Sequence, residues 1–132
     1  MIGVVIVSHG SLADILLDTA ELIVGKQEQT VTLAFAPGEN VANLQLRIRE
    51  AIRQVDVGQG VLLVADLIGG SPYNAAAIVA MQQTGVEVVA GVNLPMLLEL
   101  LPIRGNELKV LTQIALTGGC DGIGKFVMPN KG

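Results

Sequence analysis

The stretch IGVVIVSHGSLADIL contains the one histidine of the chain, His9, set where an apolar run gives way to a helix-period segment. A second stretch, VLLVADLIGGSPYN, ends a similar run in Asp66 and continues into Gly69-Gly70-Ser71-Pro72. An imidazole beside a carboxylate is a nucleophile held in one tautomer, because the carboxylate keeps one ring nitrogen as N–H and frees the other lone pair. The same carboxylate stabilises positive charge that the ring acquires on attack or protonation. With Asp66 on Nδ1–H, the nucleophilic atom is Nε2. Gly10-Ser11 and Gly70-Ser71 each open a helix-period segment, and a helix N-terminus offers free N–H groups and the positive end of its dipole to an anion. A nucleophilic nitrogen between two such termini suits a phosphoryl group.

This chemistry needs residues 9 and 66 in one place, and the pattern of elements supplies it. Short apolar runs at residues 2–7, 31–35, 61–65 and 86–91 read as strands, several with no polar face. Between them Leu12, Ile15, Leu16, Thr19 and Ile23 recur at helical spacing, with Ser11 as cap and Gly25 as stop. Val41, Leu44, Ile48, Ala51, Ile52 and Val55 make a second stripe, capped by Asn40, with Gly58 beyond its end. Residues 72–84 form a third helix opened by Ser71-Pro72 and closed by Gly85, and residues 94–101 and 107–117 form two further helical pieces. Strand–helix repeats of this kind give a doubly wound α/β domain, here a single one over residues 1–132. The expected sheet is mainly parallel, of order 2-1-3-4, with helices on both faces. Ligands in such sheets bind beyond the carboxyl ends of the strands where strand order reverses, between the first strand and the third. His9, two residues past the first strand, and Asp66, directly past the third, both fall there. A lone histidine is more often structural than catalytic, and it is this position that favours chemistry. The tail offers Lys125–Met128 as a fifth edge strand, in cis or exchanged with a partner subunit.

Composition narrows the partners. Half the residues are hydrophobic, with two Phe, one Tyr and no Trp, so the core is aliphatic. A net charge of −4 argues against nucleic acid, which needs a clustered basic surface. One cysteine, Cys120, excludes an intrachain disulfide and fits a reducing compartment. No apolar run approaches the ~20 residues of a membrane span. A cytoplasmic protein without membrane insertion is expected.

The segments IVSHGSLADILLDTAELIVG, FAPGENVANL, GVLLVADLIGGSPYNAAA and GVNLPMLLEL, in that order, resemble the IIA component of the mannose family of the bacterial phosphoenolpyruvate-dependent sugar phosphotransferase system. The resemblance covers nearly the whole chain. It implies a phosphotransferase that works through a phosphohistidine: phospho-HPr donates to His9, which passes the group to a IIB component serving the membrane components IIC and IID. His9 is then the phosphoacceptor and Asp66 its orienter. Gly10, Ser11, Gly70 and Ser71 face the phosphoryl oxygens, and Leu67, Ile68, Asn93, Pro95 and Met96 are available as partner contacts. No metal and no cofactor are called for. The resemblance further implies a homodimer, the typical state of the family, often with the last strand exchanged. The tail GGCDGIGKFVMPNKG is the weakest match, and its shortness favours a free-standing subunit.

Other readings fit less well. A phosphohistidine phosphatase needs a neighbouring arginine and a second histidine, whereas here the nearest arginine in sequence is Arg47. A tetrapyrrole chelatase wants more metal-binding side chains, and a receiver domain wants acidic residues where Ser8-His9-Gly10 stands. The remaining alternative is a regulatory domain, or a phosphoryl donor to dihydroxyacetone kinase, using the same histidine.

Overall fold

The computed structural model describes residues 1–130. Four strands, β1 (Gly3–His9), β2 (Thr30–Phe35), β3 (Val61–Ala65) and β4 (Val86–Ala90), form one wholly parallel sheet of order β2-β1-β3-β4. The crossovers are α1 (Leu12–Val24), α2 (Val41–Val55) and α3 (Ser71–Gln82). After β4 come α4 (Leu94–Leu100), a 3-10 turn at Leu101–Ile103 and α5 (Leu108–Asp121). Helices α1, α4 and α5 cover one face of the sheet, while α2 and α3 cover the other. The doubly wound reading and the strand order therefore hold.

The central strands β1 and β3 are buried on both faces, which is why their sequences run apolar without alternation. Alternate residues feed two separate cores. Val4, Ile6, Leu62 and Val64 pack under α1, α4 and α5, whereas Val5, Val7, Val61 and Leu63 pack under α2 and α3. The α2 stripe lies inward as its spacing predicts, and Asn40 caps the helix by accepting from Asn43 N at 2.7 Å. At the opposite end of the sheet from His9, the buried Arg104 guanidinium donates to the carbonyls of Ile2, Glu28 and Gln29. The Arg104 carbonyl in turn accepts from Ile2 N at 2.8 Å. This arginine ties the start of β1 to the α1–β2 loop and to the segment after α4.

Four sequence expectations need correction. Strand β1 runs to His9 itself, because Ser8 and His9 continue the register with Ala34 and Phe35 of β2. The face of α1 that meets the core is Ala13, Leu16, Leu17, Ala20 and Val24; Leu12, Ile15 and Ile23 are exposed. That helix is apolar nearly all round, so spacing alone does not pick its inner face, and the two alanines let it sit close to the sheet. Helix α5 continues through Gly118 and Gly119 to Asp121, past the expected end at 117. The tail adds no fifth strand to its own sheet: residues 123–130 lie outside regular structure and are exposed. Within one chain this segment has no packed surface to hold it against β4.

Candidate active site

Strands β1 and β3 are neighbours in parallel, with Val7 opposite Ala65, so the residues that follow meet at the carboxyl edge. His9 Nδ1 lies 2.8 Å from Asp66 Oδ2, and His9 backbone N–H donates to the same oxygen at 2.9 Å. Asp66 Oδ1 accepts from Leu67 N at 2.9 Å. Partial burial alone would raise the Asp66 carboxyl, but the His9 backbone N–H, the ring bond and the ring charge together hold it below its ordinary value of 3.8. An ionised Asp66 keeps the proton on Nδ1 and leaves Nε2 as the free nitrogen of a ring that is 49% exposed. Phe35, beside His9 at the end of β2, packs edge-to-face on the ring with centroids 6.2 Å apart.

The chain turns sharply after His9. Gly10 has φ of +54°, a left-handed conformation that glycine adopts without a Cβ penalty, and its N–H donates to Phe35 O at 3.1 Å. On the other side of the ring, Gly70 takes the cap position of α3 expected of Ser71, and Ser71 becomes the first helical residue. A Cβ built on Gly70 would stand 3.0 Å from His9 Cε1, so the start of α3 is seated directly against the imidazole edge. The connecting loop is held by Gly70 N donating to Leu67 O at 3.0 Å and by Asn74 Nδ2 donating to Gly69 O at 3.3 Å. His9, Asp66 and Gly70 thus meet at the carboxyl edge of the sheet, with Gly10, Ser11 and Ser71 next to them in the chain.

Of the residues expected at partner contacts, Leu67 and Ile68 stand exposed on the loop after Asp66, at 59% and 71%. The other three lie away from that loop, around α4. Met96 is buried in the core under α4. Asn93 spends its amide on capping α4, accepting from Met96 N at 2.9 Å and donating to Gly119 O at 3.0 Å. Pro95 is half-buried and lines a cavity of about 500 Å³ between α4 and α5. Sequence reasoning gave no role to Ser8, Phe35, Asn74 or the Glu39–Arg47 pair. Glu39 accepts from Ala36 N, Asn43 Nδ2 and Arg47 Nη1, and Arg47 also donates to Ala34 O, so this pair shapes the loop after β2 beside His9. The Ala36 N–H is the main cause holding the Glu39 carboxyl below its ordinary value; burial opposes it and Arg47 adds to it. A signal for Ser8 was present: alternation along β1 turns it inward, away from the side taken by His9.

Among the described residues no three His, Cys, Asp or Glu side chains cluster to hold a metal ion, and no helix is long and apolar enough to cross a membrane.

A family model described as "EIIA-man: PTS system fructose IIA component" matches residues 3–113. The PTS system mannose-specific EIIAB component of Escherichia coli (strain K12) is 39% identical over 124 residues, which cover 92% of this chain and 38% of that protein. The chain thus spans about two fifths of the length of that curated relative. The PTS system fructose-specific EIIA component of Bacillus subtilis (strain 168) is 34% identical over 121 residues, 86% of this chain and 83% of that one. Among solved structures, phosphotransferase system component EIIA from Streptococcus agalactiae superposes with a TM-score of 0.86 at 29% identity, over 95% of this chain and 97% of that one. With the family model taking in both His9 and Asp66, and the relatives matching along most of its length, the chain belongs to the mannose-family IIA components of the phosphotransferase system.

Proposed function

We propose that the chain is a phosphoryl carrier of a sugar phosphotransferase system, taking a phosphoryl group from phospho-HPr onto His9 Nε2 and giving it to a IIB histidine. The observation that carries this reading is the His9–Asp66 pair, with Nδ1 engaged at 2.8 Å and the ring half open to solvent. On loading, the lone pair of Nε2 forms the new N–P bond as the donor's N–P bond breaks, and the donor imidazole keeps the electron pair. The ring of His9 then carries positive charge with Nδ1–H still bonded to Asp66, and the carboxylate stabilises that state. The starts of α1 and α3 present N–H groups to the transferring oxygens. Positioning supplies most of the rate, because the phosphoryl passes through a loose transition state with little covalent help from the protein. Leu67 and Ile68, exposed on the loop that follows Asp66, are the apolar contacts for donor and acceptor in turn.

The homodimer belongs to the same reading. Strand β4 ends the sheet, and Ile123, Phe126, Val127 and Met128 are exposed on the tail, which suits exchange of that segment onto a partner's β4. Sedimentation of the full chain and of one shortened after Gly122 tests this, and a full chain that runs as a monomer would refute it.

Incubation with phosphoenolpyruvate, enzyme I and HPr should add one acid-labile phosphoryl group per chain, absent in His9→Ala. An intact mass without that addition, or a label that survives in His9→Ala, ends the reading. Adding a IIB protein should discharge the labelled chain; discharge only by a dihydroxyacetone kinase would move the chain to that branch.

A further inference from the structure

Helix α1 is capped from an unexpected place. Ser11 occupies the residue position of the cap, yet its hydroxyl makes no capping hydrogen bond. The Ala13 N–H, second in the helix, instead donates to Ser8 Oγ at 2.8 Å, five residues upstream and on the far side of His9. The Ser8 hydroxyl donates to Gly10 O at 3.3 Å, and Ser8 is fully buried. One oxygen therefore joins the last residues of β1, the left-handed turn at Gly10 and the first turn of α1.

We propose that Ser8 is a positioning residue for His9: its hydroxyl replaces Ser11 as the cap of α1, fixes the backbone on both sides of the imidazole, and leaves the Ser11 hydroxyl for the phosphoryl group. This deepens the reading of His9 as acceptor and rests on it. The residues flanking the imidazole are held by two other bonds, His9 N to Asp66 Oδ2 and Gly10 N to Phe35 O, while Ser8 Oγ closes the Gly10 turn itself. Removing Ser8 Oγ frees the helix start and the turn together, while Asp66 still grips Nδ1. The imidazole then pivots about that grip, and Nε2, on the far side of the ring, moves most. An ordinary cap, by contrast, would stabilise α1 without setting the direction of Nε2. A displaced cap also explains why a serine with helix-capping chemistry stands exposed and uncommitted at position 11.

The test compares Ser8→Ala, Ser8→Thr and Ser11→Ala with the full wild-type chain. Single-turnover loading from phospho-HPr should fall roughly ten- to a hundredfold in Ser8→Ala at saturating donor, the scale of a misplaced reacting atom, with the half-saturating donor concentration unchanged. Ser8→Thr, which keeps the hydroxyl, should restore most of the rate. Ser8→Ala should lower the melting temperature and Ser11→Ala should not, since only Ser8 caps. A Ser8→Ala chain that loads at the wild-type rate once folded overturns the proposal, as does a Ser11→Ala chain that loses the stability expected of a lost cap. Should Ser8→Ala not fold, Ser8→Cys fills the same space with a weak acceptor and gives the same comparison. Nitrogen-15 NMR of the His9 ring separates the two levels of the argument. If wild type takes no label, the carrier reading fails, while a His9 ring environment in the unlabelled chain that shifts in Ser8→Ala and returns in Ser8→Thr still supports the positioning role.

Discussion

Asp66→Asn removes a charge while nearly preserving a shape, which makes it the sharpest perturbation of the pair. Three N–H groups meet the carboxylate: His9 N and Nδ1 on Oδ2, and Leu67 N on Oδ1. An amide has one oxygen to offer. Turned toward His9 it keeps two bonds and sets its NH2 against Leu67 N–H; turned the other way it loses both, so the first orientation prevails. The ring then keeps its tautomer and direction but loses its counter-charge. Two unit charges about 4 Å apart attract by about 1 kcal/mol in water and about 4 kcal/mol near a protein surface. Because the ring is half exposed, about 2 kcal/mol is the working value, which is roughly thirtyfold in rate. Rapid-quench, single-turnover loading from phospho-HPr followed by intact mass reads this directly. A folded Asp66→Asn chain that loads within about twofold of wild type would show that the charge contributes nothing, and the account of the pair would fail.

Gly70→Ala introduces a Cβ 3.0 Å from His9 Cε1 and 3.2 Å from Leu67 O, at a φ of −76° that alanine accepts. It should cost about 1 kcal/mol of stability through overpacking yet slow loading roughly tenfold by displacing the ring; equal rates would place the ring elsewhere. Because the Asp66 carboxyl is held below 3.8 in the folded chain, its contribution to stability is fully present above that value and is lost as pH falls through the folded value. Acid unfolding of Asp66→Asn should therefore show a shallower loss of stability below 3.8 than wild type, and parallel curves would contradict it. Arg104→Ala strips the donors from Ile2 O, Glu28 O and Gln29 O and should cost about 2–4 kcal/mol in urea unfolding. The folded fraction should load at the wild-type rate, since Arg104 lies at the far end of the sheet.

What the sequence made legible was what periodicity and topology control. Strands too apolar for a wet face had to be central, and an α/β order beginning with two crossovers brings residues 9 and 66 to one switch point. The inner face of α1 was not legible, because Leu12, Ile15 and Ile23 look as fit for a core as Ala13 and Ala20 do. What decides is how closely a helix backbone approaches the sheet, and spacing does not encode that. The cap of α1 was misplaced for a similar reason. A serine just before a helix is the ordinary cap, but the hydroxyl at Ser8 reaches Ala13 N–H only because Gly10 folds the chain back on itself. Asn93 and Met96 sat in a motif near the cleft, and motif proximity said nothing about whether a side chain faces solvent or the α4–α5 core.

The carrier proposed above must release what it accepts, and that constrains which of these contacts can help. Any interaction that stabilises the phosphorylated ring speeds loading and slows unloading by related amounts, as ground-state binding does for an enzyme. A deeply buried, strongly coupled carboxylate would therefore trap the group on His9. Here the ring is half in water, so the attraction of Asp66 for the charged imidazole is moderated. Geometry carries no such penalty: a direction of Nε2 that suits in-line transfer from one partner suits transfer to the next. The site accordingly spends its hydrogen bonds on the backbone around the histidine, through Asp66, Phe35 and Ser8, and on the approach of Gly70 to the ring edge. Among the described residues the ring is directed by the Asp66 bond, the Phe35 edge and the close approach of Gly70, and its remaining side is open to solvent.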